Sequence, residues 1–434
     1  MNKAAMRVKS GQDGQWLTGL LVVMMVSLPI ANSMSTPRDS GGVLFAPAIT
    51  YFRVIFVLIV CVFVLKIIAD SSRTNSMIVW PRRTGEALFV TLLLWLFLTH
   101  LRVEEFGAAR NILLIVVVFV VLCILAAEGY DIGASFRLGA RLAGLLSVIA
   151  YIVDPTWYVN SRVYFSGKIV ENFPNVEGLL HHGNITALFF GAALVVEVSL
   201  WGFRSRRLVS LAFALLFFVL LMTTQGRNAI AATILAVGCV LLYRRGNSIF
   251  PWLVLVAAFI ASWIPLLLML PVYFFGGTPD YDWIAALTNR GGLWDVIVDL
   301  IPRGFVLGHG TQWVNEAHPL VTDRDISEVT HAHNQILDLI LVGGLPALAL
   351  YGALFVAIAH TVRRRRPPVE GVGLMVILVC TSITETPLAP YMTHAGVVLS
   401  LIAIVLVFAV NDSAARPPAV KPQLTRRTNL GALR

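Results

Sequence analysis

Apolar runs recur along the chain near residues 16–34, 42–68, 86–100, 111–127, 137–153, 185–201, 207–224, 228–243, 250–276, 334–361, 369–387 and 394–411. Most are close to the ~20 residues that an α-helix needs to cross a hydrocarbon core ~30 Å thick. The pattern predicts an all-α polytopic membrane protein with about 12 transmembrane helices in one domain over residues 1–411. Most connections are short. Two external ones, 154–184 and 277–332, are long enough to expect work from them. In the second, the apolar stretch Leu293 to Leu307 predicts short helices at the membrane interface, and Trp283, Trp294 and Trp313 read as an aromatic belt. The 412–434 segment, with Pro417, Pro418 and Pro422 among basic residues, reads as a disordered cytoplasmic tail.

Composition agrees with the pattern. Apolar residues make up 57% and charged ones 13% of the 434, against about 25% charged in a soluble domain. A soluble enzyme is excluded. The net charge of +9 is mainly a topology signal: with a cytoplasmic N-terminus, 23 of the 33 Lys and Arg fall on the cytoplasmic side, most plainly at Arg363 to Arg366. Both termini are then cytoplasmic. The basic residues are scattered over short segments, which argues against a nucleic-acid partner. The first run follows Lys3, Arg7 and Lys9 but lacks a small-x-small cleavage pattern, so it reads as a span. Cys61, Cys123, Cys239 and Cys380 all lie within runs, so none is placed to tie an external loop.

Charges inside spans are costly, so their depth is informative. Asp338, Glu385 and Arg53 fall near outer ends, Glu197 and Lys66 near inner ends where they can snorkel. The middle of the bundle is almost uncharged. A transporter is expected to bind near the midplane, so the distribution favours a reaction chamber on the external face.

Polar motifs cluster on that face. They are His181-His182-Gly183-Asn184 before the sixth span, Thr223-Thr224-Gln225-Gly226-Arg227-Asn228 after the seventh, and Asn289-Arg290-Gly291-Gly292 and Leu307-Gly308-His309-Gly310 in the long loop. Thr330-His331-Ala332-His333-Asn334-Gln335 precedes the tenth span, with Gly343-Gly344 further on. In this order they resemble the O-antigen ligase and O-antigen polymerase superfamily of bacterial envelope glycosyltransferases. His333-Asn334, nine residues, then Gly344 is similar to the ligase signature at the end of the large periplasmic loop. Arg227, Arg290 and the Gly-x-Gly at 308–310 match further elements, and the resemblance covers about residues 180–360. Gly226 departs from it, since relatives often carry Ser before the Arg.

The resemblance implies a GT-C-like enzyme of the bacterial inner membrane, working at the periplasmic face on an undecaprenyl diphosphate-linked glycan, with lipid A-core as acceptor. The residue chemistry is compatible. Arg grips diphosphate oxygens bidentately, which suits Arg227 and Arg290; the bland reading is a pair of interfacial anchors. A neutral imidazole suits deprotonation of a sugar hydroxyl, which suits His333; the bland reading is a helix-end His bonded to backbone. Asn334 and Asp338 share a helix face, so Asn334 reads as orienting the acceptor or the base, and Asp338 equally as a capping charge. His181 and His182 are assigned to the acceptor side by the resemblance alone. Diphosphate leaves without a protonating acid, so paired carboxylates are not required. Asp323-Arg324-Asp325 and His331-x-His333 with Glu328 are weak metal patterns without zinc spacing; neither metal nor cofactor is expected. An O-antigen polymerase, a protein-glycosylating oligosaccharyltransferase and a lipid or glycan transporter are the rival readings.

Overall fold

The computed structural model describes residues 84–127, 130–153, 159–160, 175–176, 183–201, 207–275, 291–322, 332–390 and 395–408. The runs 16–34 and 42–68, Arg53, Lys66, Trp283, the 323–331 segment and the 412–434 tail lie outside them.

Each of the other ten apolar runs contains a helix. In chain order these are α1 (Thr84–Arg102), α2 (Phe106–Ala127), α3 (Ile132–Val153), α4 (Gly183–Ser199), α5 (Arg207–Thr223), α6 (Arg227–Arg244), α7 (Ile249–Phe275), α10 (Gln335–Arg364), α11 (Val369–Thr381) and α12 (Ala395–Phe408). The long external loop adds α8 (Gly291–Gly304) and α9 (Gln312–Thr322). Among the described residues six helices are long and apolar enough to cross a membrane, and four shorter apolar ones pack among them. Among the described residues the only strands are the short antiparallel pair β1 (Val159–Asn160) and β2 (Asn175–Val176). The described residues are those of a predominantly helical, multi-pass membrane protein.

α11 is the centre. Every residue from Gly371 to Val379 is buried, against α4, α6, α7 and α12. Its 13 residues rise only ~20 Å, less than the ~30 Å of hydrocarbon. The run Thr381-Ser382-Ile383-Thr384-Glu385-Thr386-Pro387 then leaves the helix, because hydroxyl side chains compete for backbone groups and Pro387 cannot continue a helix. Residues 386–390 are buried all the same. Irregular backbone at this depth is tolerated only where protein groups satisfy it, and this requirement shapes the site described below.

α10 is broken. Gly344 has φ +65° and ψ −163°, dividing the helix into 335–343 and 345–364. The carbonyls freed at the break are taken by other elements: Leu341 accepts from the His309 N–H (2.6 Å), Val342 from the Gly310 N–H (3.0 Å) and Gly343 from Trp95 Nε1 (2.7 Å). Below the break the Leu345 N–H donates to the Phe305 carbonyl at 3.0 Å. Pro346 thus falls in the first turn of the second segment, where a missing N–H costs nothing. The turn after α1 grips the same loop, with Arg102 donating to the Leu307 and Gly308 carbonyls and Glu105 accepting from the Thr311 N–H and hydroxyl.

Two expectations are corrected. Trp294 and Trp313 are 2% and 0% exposed, so they form the core of the loop domain instead of a headgroup belt; α8 turns its apolar face onto α9 and α10. Glu197 is fully buried and does not snorkel: it accepts from both Arg137 and Arg141, one turn apart on α3, while Arg137 also reaches Ser210.

Candidate active site

His333, Glu385 and Asn184 meet at the end of the bundle where the long loop joins α10. His333 ends the stretch entering α10 and holds a left-handed backbone, φ +51°, uncommon for a non-glycine residue. Its Nδ1 lies 3.3 Å from Glu385 Oε2, and Asn184 Nδ2 donates to Glu385 Oε1 at 2.7 Å. A carboxylate when ionised only accepts, so the tautomer that pairs with it carries its proton on Nδ1 and has Nε2 as its basic nitrogen. The imidazole side chain is 19% exposed and the carboxylate 17%: both are sheltered, yet reachable from outside.

Backbone anchoring explains why His333 stands there. Asn334 is 0% exposed and caps α10, its Oδ1 accepting the Ile336 and Leu337 N–H groups, both at 3.0 Å. Its Nδ2 donates to the Ser262 carbonyl (3.0 Å) and the Ile383 carbonyl (2.9 Å). All four hydrogen-bonding capacities of this amide are spent on backbone, which leaves none for an acceptor; the expected role in orienting an acceptor is withdrawn, and Asn334 fixes the turn that carries His333. Asp338 is 1% exposed and its Oδ1 accepts from the Ala332 N–H at 3.4 Å, while Trp294 Nε1 donates to the Ala332 carbonyl at 3.1 Å. Residue 332 is thus held from both sides, and Asp338 holds protein backbone in the first turn of α10, where a negative charge is favoured.

Arg227 opens α6. It is exposed, and among the described residues its guanidinium has no hydrogen-bond or ion-pair partner. Its neighbour Asn228 donates to Thr384 Oγ1, next to Glu385. An available cation at a helix N-terminus therefore stands beside the segment that carries the carboxylate, a setting suited to an anion. The preceding Gly226 is explained sterically. A Cβ there would lie 2.7 Å from that of Ala187, so Ser is refused by the close approach of α4 and α6, while a nearby hydroxyl is supplied by Thr224, 3.3 Å from the Gly226 N–H.

Arg290, His181 and His182 lie outside the described residues. Gly308 and Gly310 approach protein backbone at the α10 break. Glu385, Asn184 and Gln335 carry more of the site than their sequence context suggested. The only signal for Glu385 was the cost of an acid near the end of a span.

Residues 211–352 match the family model described as O-antigen ligase. Over that segment the chain is similar to the O-antigen ligase/polymerase family, and the match supports a relationship to it. No curated protein matches the chain. The matched segment includes Arg227, both loop helices, His333, Asn334 and the break at Gly344, whereas Glu385 and Asn184 lie outside it.

Proposed function

We propose that the protein is an O-antigen ligase, transferring a glycan from undecaprenyl diphosphate to a sugar hydroxyl of lipid A-core at the periplasmic face of the bacterial inner membrane. The observation that supports this reading is the His333 imidazole paired with Glu385, a carboxylate that Asn184 also holds and whose neighbour Thr384 is bonded by Asn228, next to Arg227 in the chain.

In the proposed reaction, His333 Nε2 takes the acceptor hydroxyl proton as that oxygen bonds to the anomeric carbon. The bond from the anomeric carbon to the diphosphate oxygen breaks, and the electron pair leaves with the diphosphate. General-base catalysis of this kind contributes about 10²–10⁴-fold. Glu385 fixes the imidazole tautomer and stabilises the imidazolium that forms. Arg227, with Arg290, holds the diphosphate, each charge-assisted contact contributing about 1.5–3 kcal/mol, more usefully so as negative charge grows on the leaving group. His181 and His182 are assigned to the acceptor side.

The test is reconstitution of the full-length chain in liposomes with an undecaprenyl diphosphate-linked glycan and lipid A-core. His333→Ala is expected to lower turnover by about 10²–10⁴-fold, and Arg227→Ala to slow transfer as well. Folded variants that both work at the wild-type rate overturn the assignment. Lipid-linked glycan lengthened without lipid A-core identifies a polymerase, and donor moved unchanged across the bilayer identifies a transporter.

A further inference from the structure

Glu385 and His333 belong to different elements, 52 positions apart in the chain, and their meeting depends on how the segment after α11 is folded against the start of α10. Four hydrogen bonds make that junction. The Gln335 N–H donates to the Ser382 carbonyl at 3.0 Å and Asn334 Nδ2 to the Ile383 carbonyl at 2.9 Å. Gln335 Nε2 donates to the Leu388 carbonyl at 2.9 Å, and Gln335 Oε1 accepts the Leu388 N–H at 2.8 Å. The first two lie before Glu385 and the last two after it, so the segment is bent around Gln335 with the carboxylate presented between its two attachments.

The side chain at 335 is specific to this task. It is 0% exposed, so water cannot substitute for it. A carboxamide offers a donor and an acceptor side by side, whatever the pH, to match the C=O and N–H of one residue. An ionised Glu could not donate to the Leu388 carbonyl, Leu would leave two buried backbone groups unpaired, and Asn falls one methylene short. Leaving such groups unmade is costly, so the segment would move to find other partners and take Glu385 with it.

We infer that Gln335 is a positioning residue for the proposed transfer, which rests on the His333 reading above: its carboxamide, paired with both backbone groups of Leu388, sets the distance between Glu385 and His333. It touches neither substrate nor reacting atoms and acts through Glu385.

A double-mutant cycle on the full-length chain in liposomes tests this, using the same donor and lipid A-core. Gln335→Leu is expected to lower kcat about ten- to a hundred-fold, within the range that general-base catalysis supplies, with KM for the donor changed less than about two-fold. In a Glu385→Ala background the same substitution is expected to cost nothing further, because the group it positions is gone. Gln335→Asn keeps a buried amide and carries the same cycle if the Leu variant does not fold. Losses that add in the Glu385→Ala background, a rise in KM at unchanged kcat, or wild-type kcat in Gln335→Asn each overturn the inference. A fully active His333→Ala removes the underlying reading instead, whereas an inactive His333→Ala with additive losses removes the role of Gln335 alone.

Discussion

At the residue scale, the decisive contact is between an imidazole and a carboxylate, and the carboxylate's charge should matter more than its shape. Glu385→Gln keeps the side-chain length and a group that can accept from Nδ1, but it removes the charge that stabilises the imidazolium. Turnover is expected to fall about ten- to a hundred-fold, less than on loss of the base itself, with little change in melting temperature; steady-state kinetics beside a thermal scan in detergent checks both. A variant as fast as wild type would mean that Glu385 serves only to pin Asn184. The candidate base was legible in the sequence because His333-Asn334 precedes an apolar run. Its partner was not, because the 52 positions between them carry no local pattern. Asn334 was legible as important but not in its role, since a cap that also bridges to Ser262 and Ile383 depends on tertiary neighbours.

At the element scale, the apolar runs located every described membrane helix, since burial in lipid demands long apolar helices whatever the packing. They did not show that α10 is broken, because its composition stays apolar across Gly343 and Gly344. They also ran α11 on to residue 387, where the helix stops at Thr381. Both misses have one cause: hydropathy reports where backbone is buried, and it is silent on which groups satisfy it. The break works because Gly344 and Gly308 sit face to face. Gly308 has φ +77°, and a Cβ on Gly344 would lie 2.5 Å from the Val306 carbonyl oxygen. Gly344→Ala therefore imposes backbone strain of about 1–3 kcal/mol and forces the loop off the half-helix that carries His333 at its start. A lowered melting temperature with a loss of transfer is expected. Gly352→Ala is the internal control: it lies in the same helix with nothing within 4 Å of its Cβ position and is expected to be neutral or to stabilise by about 0.5–1 kcal/mol. Equal shifts in the two variants would contradict the strained break.

At the scale of the whole molecule, the proposed chemistry and the strongest charge cluster occupy opposite ends of the bundle. Arg137 and Arg141 count in the sequence as topology charges, but the structure turns them inward onto Glu197, with Arg141 also over the Phe213 ring at 4.7 Å. One carboxylate thus joins two guanidinia on α3 to α4, with Ser210 bringing in α5. Removing it should be far worse than removing the whole set. Glu197→Ala leaves two like charges one turn apart, one of them 8% exposed, with no compensating anion. Breaking a buried pair from one side costs about 3–5 kcal/mol, whereas replacing the group by apolar residues of similar volume is often neutral. Glu197→Ala is therefore expected to lower the melting temperature in detergent sharply, and Glu197→Leu combined with Arg137→Met and Arg141→Met to recover most of the loss. The kcat of whatever fraction remains folded should be unchanged, because the cluster lies at the far end of α4 from Asn184. An unshifted melting temperature in Glu197→Ala would mean that water reaches the cluster and holds the two guanidinia without the carboxylate. A fall in kcat without a fall in stability would mean that the two ends of α4 are coupled, and that the site depends on more of the bundle than its own hydrogen bonds.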